Sequence, residues 1–231
     1  MTARGTRRIV LLFTWAAGCV DAITYLAAHV FTANMTGNAV LMGIYIGQGK
    51  GAAIVQSLVA LILFISGVVL GAVLAGEGGD KAATLAAVRR EVVVEGAILA
   101  LFAIIFLLPL PRESRSIALL LIITSALAMG LQSAAVRRLH LPGIATTYIT
   151  GTLTNLFFGL TQHWAAKSQT TAAGASLKRF LVLQAQVFLC YALAALTSGA
   201  LYLHWPAAVA WLPVIAIATV AVAMRRNRVI G

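Results

Sequence analysis

Phe31-Thr32-Ala33-Asn34-Met35-Thr36-Gly37-Asn38 interrupts an otherwise apolar chain, and its surroundings decide the fold. Upstream, Ile9–Phe31 is one long apolar run, and downstream Asn34–Gly47 is another. In a soluble protein a Thr/Asn/Gly tract between two such runs reads as a surface turn. This chain is not composed like a soluble protein. It is 61% hydrophobic and 10% charged, with a mean hydropathy of +0.97, where an ordinary domain carries about 25% charged residues. So much apolar surface has to face a lipid bilayer, which places the interruption at membrane depth.

Working outward, eight apolar segments can be marked: Ile9–Phe31, Asn34–Gly47, Ala52–Ala75, Val92–Leu110, Ser116–Val136, Ile144–His163, Phe180–Leu203 and Ala207–Met224. A crossing helix needs about 20 residues, and the second segment, at about 14, falls short. The sixth is long enough, but its first third, Ala145-Thr146-Thr147-Tyr148-Ile149-Thr150-Gly151, is polar. If the second and sixth segments dip in and return on the same side, Lys and Arg concentrate on the inner loops more strongly than if all eight cross. Both arrangements leave the two termini cytoplasmic. Arg4, Arg7 and Arg8 precede the first segment, and Ala16-Ala17-Gly18-Cys19 faintly resembles a cleavage box. The apolar run continues past Cys19 with no soluble domain behind it, so an uncleaved first helix is expected.

The net charge is +11, from 17 Lys and Arg against 6 acidic residues. The basic residues fall in small groups between apolar runs and never as a helical stripe, which argues for topology signals and against nucleic-acid binding. The acids are Asp21, Glu77, Asp80, Glu91, Glu95 and Glu113, so the second half has none. Cys19 and Cys190 lie inside apolar runs without metal-ligand spacing, and packing residues are expected.

The interruption has an echo. Thr32-Ala33-Asn34-Met35-Thr36-Gly37-Asn38 is matched by Thr146-Thr147-Tyr148-Ile149-Thr150-Gly151-Thr152, and Val20-Asp21-Ala22 by Leu131-Gln132-Ser133. With three crossings per half, the halves run in opposite directions. Inverted repeats with broken helices near the midplane are a recurrent transporter design, with the breaks marking the binding site. The expected fold is therefore an all-α polytopic bundle, one transmembrane domain over residues 1–231. Its halves, at about 9–110 and 116–224, each contain three spanning helices plus one short broken or re-entrant helix. Eight full crossings are the alternative.

Asp21 is the sharpest single signal. It lies about thirteen residues into the first segment, beyond snorkelling reach, where a carboxylate costs roughly 2.5–3.5 kcal/mol to insert. Two kinds of role compete: a functional one, as a proton or cation coupling site or a counter-ion for a cationic substrate, and an interhelical hydrogen bond that orders the bundle. Thr32 and Asn34 can cap the short second helix, Gly37 permits close approach, and Thr36 and Asn38 complete the polar tract. A helix start at this depth offers N–H groups and a positive dipole end that suit an anion. In the second half Leu141-Pro142-Gly143 breaks the chain, and Thr147, Gly151 and Asn155 share one face at i, i+4 spacing, with Thr150 beside them. The candidate substrate- or ion-binding set is Asp21, Thr32, Asn34, Thr36, Gly37, Asn38, Gln132, Thr147, Thr150, Gly151 and Asn155.

Other features favour plainer roles. Glu91 and Glu95, beside Arg89 and Arg90, read as a solvated interfacial pair, with Glu95 a second candidate for handling protons. Arg137 and Arg138 read as cytoplasmic retention charges. Gly43/Gly47 and Gly67/Gly71 have the spacing that lets helices pack closely, within one chain or in a homo-oligomer. Trp164, Trp205 and Trp211 stand near segment ends, as interfacial anchors do. His29, His140, His163 and His204 are scattered without a consistent partner. With no phosphate loop, metal-ligand cluster or serine elbow, neither an enzyme nor a cofactor or metal site is expected.

At these residues the chain resembles the YoaK-like family of bacterial multi-pass membrane proteins. The resemblance rests on Ala17-Gly18-Cys19-Val20-Asp21-Ala22, on the tract from Phe31 to Asn38, on Met129 to Arg138, on Pro142-Gly143 and on Thr146 to Thr154. One departure is Ser133, where the family has Asn. The resemblance implies an inner-membrane protein, with small-molecule export as the suggested activity of some members. Taken with the residues, it favours a secondary transporter, with protons as coupling partner to a small-molecule substrate. A passive channel and a membrane scaffold are the alternatives.

Overall fold

The computed structural model describes residues 3–76, 81–109, 114–139, 149–165 and 172–226, and within them every regular element is an α-helix. The order is α1 (Ala3–Ala28), α2 (Met35–Gly47), α3 (Gly51–Ala75), α4 (Lys81–Leu107), α5 (Arg115–Arg138), α6 (Ile149–Ala165), α7 (Ala172–Leu201) and α8 (Pro206–Arg226). The protein is a polytopic helical bundle. Among the described residues five helices carry stretches long and apolar enough to cross a membrane: Gly5–Ala28, Gly51–Ala75, Arg115–Arg138, Leu177–Leu201 and Pro206–Arg225. α2, at 13 residues, is about 20 Å long and too short to span.

Two boundaries differ from expectation for physical reasons. The fourth segment, expected at Val92–Leu110, is a helix from Lys81 to Leu107. Arg89, Arg90, Glu91 and Glu95 are thus interior helical residues: Glu91 pairs with Arg138, and Arg90 is exposed. The eighth segment carries Pro213 inside α8 without breaking it. The expected break at Leu141-Pro142-Gly143, together with Thr146 and Thr147, lies outside the described residues.

The core forms where α1, α4, α5 and α8 meet. Ile9, Phe13, Val20, Val92, Leu99, Met129, Ile217 and Met224 belong to one buried cluster. A second joins Ile23 of α1 to Phe102 and Phe106 of α4, Ile117 and Leu121 of α5, and Val209 and Ala210 of α8. Ile62, Ile65, Val69 and Val73 of α3, and Leu189, Leu193 and Leu196 of α7, are large, apolar and exposed. At three- and four-residue spacing they form outward stripes that only lipid or another apolar surface suits.

Contacts fix the relative directions. α1 and α7 run parallel: Leu11 meets Cys190, and Gly18 meets Tyr191 and Ala194. α3 and α5 run parallel, with Gly67 against Leu127 and Gly130, and Gly71 against Ala134. α1 and α5 are antiparallel, because Phe13 meets Gln132 while Ala28 shares a cluster with Ala118 and Ile122. α4 runs antiparallel to both α5 and α8 (Glu91 on Arg138, Gly96 on Ile217, Phe106 near Ile117 and Val209).

The α3–α5 seam depends on glycine. A Cβ on Gly130 would fall 2.1 Å from the Phe64 carbonyl oxygen, and one on Gly67 would fall 2.3 Å from that of Leu127. Backbone lies against backbone there, so no side chain can yield. Gly43 and Gly47, expected to pack the same way, have nothing within 4 Å of a would-be Cβ. The short helix turns that face outward.

Candidate functional site

α1 stops at His29, whose φ of +53 reverses the chain. Such a conformation is uncommon outside glycine and leads directly into the segment Val30–Asn34. That segment folds back along α1 so that α2 starts beside Asp21. Asp21 is seven residues before the end of α1, about 10 Å inside the helix at 1.5 Å per residue.

Its carboxylate organises the reversal. Oδ1 accepts the backbone N–H of Thr32 (2.8 Å) and of Ala33 (2.7 Å), and Oδ2 accepts that of Asn34 (3.0 Å). The hydroxyl of Tyr191, from α7, donates to Oδ2 at 2.5 Å. A carboxylate offers about four acceptor positions, and four donors converge on this one. The N–H groups that Asp21 takes belong to the segment that leads into α2, while at the start of α2 itself the Gly37 N–H is answered by Asn34.

The rest of the tract completes the break. Asn34 caps α2 by accepting the Gly37 N–H at 3.2 Å. Asn38 binds Phe31 both ways: its Oδ1 accepts the Phe31 N–H at 2.9 Å, and its Nδ2 donates to the Phe31 carbonyl. Thr24 and Thr32 hydroxyls lie 3.4 Å apart in the interior. A Cβ on Gly37 would come within 2.9 Å of the Phe31 ring, so glycine is needed for that approach. Phe31 stacks on Tyr25, with ring centroids 4.9 Å apart. In lipid an irregular backbone needs its polar groups answered, and these side chains answer the N–H groups of Phe31, Thr32, Ala33, Asn34 and Gly37 and the Phe31 carbonyl.

Of the candidate residues, Asp21, Thr32, Asn34, Gly37 and Asn38 come together, while Thr36 is exposed on α2. Gln132, buried in α5, donates its amide to the Phe13 carbonyl at 3.1 Å. Thr150 and Asn155 are exposed on α6 and Gly151 is half-buried there; α6 packs on α7. Among the described residues, the hydrogen bonds of Asp21 run to the segment before α2 and to α7, and none to α5 or α6. Thr147 lies outside the described residues.

Glu91 and Glu95 correct an expectation. They are not a solvated pair; both are fully buried. Arg138 donates its Nε–H to Glu91 Oε1 at 2.9 Å and its Nη2 to the Gly71 carbonyl at 2.9 Å. Arg138, expected as a retention charge, thereby ties α3, α4 and α5 together, while Arg137 is exposed. The charges at the start of one segment and the end of another were visible in sequence, but their pairing depends on which helix ends meet. Tyr191 was also missed, although a phenol inside the apolar run 180–203 is a legible hint of a buried partner. Gln184, fully buried on α7 with its amide unpartnered among the described residues, gave no motif at all.

Comparison with known proteins agrees with this picture. No solved structure matches the chain. It is 34% identical over 219 residues to the UPF0700 transmembrane protein YoaK of Bacillus subtilis (strain 168), covering 94% of this chain and 93% of that protein. The model of a family described as "Protein of unknown function (DUF1275)" matches residues 9–223. The chain, a membrane-embedded helical bundle closed around a buried Asp–Tyr contact, therefore belongs to the DUF1275 family, with YoaK among its relatives.

Proposed function

We propose that the protein is a secondary small-molecule transporter of the bacterial inner membrane, a proton-coupled exporter built from two inverted halves with both termini cytoplasmic. The observation that carries this reading is the start of α2: an interrupted backbone held about 10 Å inside α1 by an ionisable side chain. Such irregularity is tolerated in a membrane where it is buried in protein or lines a water-filled path, and transporters place their sites at such breaks.

Helix packing supports two halves. Exchanging α1 with α5, α2 with α6, α3 with α7 and α4 with α8 leaves the set of packed helix pairs unchanged. α1·α7 becomes α5·α3, α1·α8 becomes α5·α4, and α6·α7 becomes α2·α3. The antiparallel meeting of α1 with α5 is what an inverted relation requires. The directions also favour six crossings. α1 and α3 are antiparallel, so the chain through α2 leaves and re-enters on one face, and the same holds for α6 between α5 and α7.

The test uses access, because it needs no known substrate. Cys19 and Cys190 are replaced by Ala, and Thr36→Cys and Thr150→Cys, at corresponding places in the repeats, are introduced singly. The protein is placed in liposomes in one orientation and treated with a membrane-impermeant maleimide from either face. A transporter exposes each position to one face at a time, in proportions that shift with an imposed pH gradient. Modification from both faces at once, indifferent to the gradient, indicates a channel and overturns the reading.

A second reading has its own observation. All four acceptor positions of Asp21 are occupied within the protein, which is what a membrane scaffold with purely structural polar groups also requires. Protection of both cysteines from both faces, with folding intact, supports that alternative.

A further inference from the structure

Asp21 is saturated, and a second buried carboxyl is not. Glu95 lies in the middle of α4, one helical turn beyond Glu91, with no exposed surface. Among the described residues neither of its oxygens has a hydrogen-bond partner, and Glu91 Oε2 has none either. Arg138 is committed through Nε to Glu91 Oε1 and through Nη2 to the Gly71 carbonyl. The site is built. Its guanidinium is fixed by α3 and α4, and its two carboxyls share one face of α4 at i, i+4 spacing.

We infer that Glu91, Glu95 and Arg138 form the proton-exchanging site of the protein, with Glu95 carrying the proton and Asp21 taking no part. One guanidinium neutralises one carboxylate. Two ionised carboxylates a turn apart would leave an uncompensated buried charge, which proteins avoid by binding a proton. Among the described residues Arg138 is the ion-pair partner found at this face, and Arg90 acts on Glu91 at longer range from α4 itself. Of the charged residues on α3, α5 and α8 whose side chains are described, Arg115, Arg137 and Arg225 are exposed. On α4 itself Arg90 is exposed and Arg89 is half-buried.

Release breaks the O–H bond of the Glu95 carboxyl, and a water molecule admitted from the α4 N-terminal end accepts the proton. The resulting carboxylate shares Arg138 with Glu91, and reprotonation reverses the step. The site's purpose rests on the transporter reading, but its test does not.

The full chain is reconstituted in phosphatidylethanolamine–phosphatidylglycerol vesicles, and infrared difference spectra are recorded between acid and alkaline buffer. With 6 acidic residues in the chain, few bands compete. The wild type is expected to show the carbonyl band of a buried protonated carboxyl, with a shift in heavy water. Glu95→Gln loses that band and Asp21→Asn keeps it. Glu91→Gln frees Arg138 to pair with Glu95 and also loses it, which preserves the test if Glu95→Gln does not fold. A band that survives Glu95→Gln or Glu91→Gln, a band lost in Asp21→Asn, or no band in folded wild type overturns the inference. Two-sided labelling at Thr36 and Thr150 with the band present removes transport and leaves the proton site standing. Alternating access without the band does the reverse.

Discussion

The two buried acidic centres differ in how completely their oxygens are answered. At Asp21 four donors meet one carboxylate, three from a backbone that would otherwise have orphaned N–H groups. At Glu91 and Glu95 one guanidinium bonds one of two carboxyls, and three of their four oxygens are unpartnered among the described residues. A saturated ion in a low-dielectric interior is architecture, because moving any one donor leaves a buried charge or amide exposed to nothing. An unsaturated buried carboxyl is held neutral by a proton, and it gives that proton up only when water or a donor reaches it. Burial does not separate the two roles, and donor count does.

The sharpest break of this comparison is Asp21→Ala. It leaves three N–H groups and the Tyr191 hydroxyl without their acceptor, at a cost of about 4 kcal/mol if even half of the usual penalty per orphaned donor applies. Thermal unfolding of the detergent-solubilised protein should show it as the largest loss in the series. Survival with stability near wild type would mean that the segment before α2 does not depend on this carboxylate.

Arg138→Ala follows at about 2 kcal/mol, reduced from the full cost of breaking a buried pair because the guanidinium side chain is 26% exposed. Adding Glu91→Gln should recover much of the loss, since the orphaned charge is then gone. The same unfolding assay run as a double-mutant cycle checks this. Additive effects would show that Arg138 acts through Gly71 and not through Glu91.

The Asp21 centre was largely legible in sequence because its parts are local. The carboxylate, the capping Asn34, the close-approach Gly37 and the bridging Asn38 fall within one short stretch, and helix capping rules read them. What was not legible was that the acid and the break satisfy each other: an anion and an anion-binding helix start, side by side, read equally well as two halves of a ligand site. The Glu91 centre was misread for the opposite reason. Beside Arg89 and Arg90 it looks solvated, and its true partner is 47 residues away on another helix. The exposed Gly43/Gly47 pair shows the same limit. Spacing says that helices can approach on that face, and tertiary packing decides whether any does.

Tyr191→Phe sharpens the first half of the comparison. Removing one donor from a carboxylate that keeps three should cost about 1.5 kcal/mol, well below Asp21→Ala, and leave the backbone of Thr32, Ala33 and Asn34 protected from hydrogen exchange. If exchange there rises as it does in Asp21→Ala, the phenol positions the carboxylate and does not merely assist it.

Glu95→Gln is expected to do least to stability. If Glu95 is already neutral, the substitution exchanges one uncharged polar group for another of the same size. Stability should then fall by about 1 kcal/mol or less, because the amide brings N–H groups but no charge into the site. The opposite state of Glu95 predicts a different sign. An ionised Glu95 beside Glu91 is repelled, and removing its charge would relieve the pair and stabilise the protein clearly. A marked stabilisation therefore counts against a proton on Glu95, and a loss as large as that of Asp21→Ala would show donors that the unpartnered oxygens do not display. The small effect is the discriminating one, because it is the only result in which two carboxyls sharing a buried helix face with one arginine carry no excess charge.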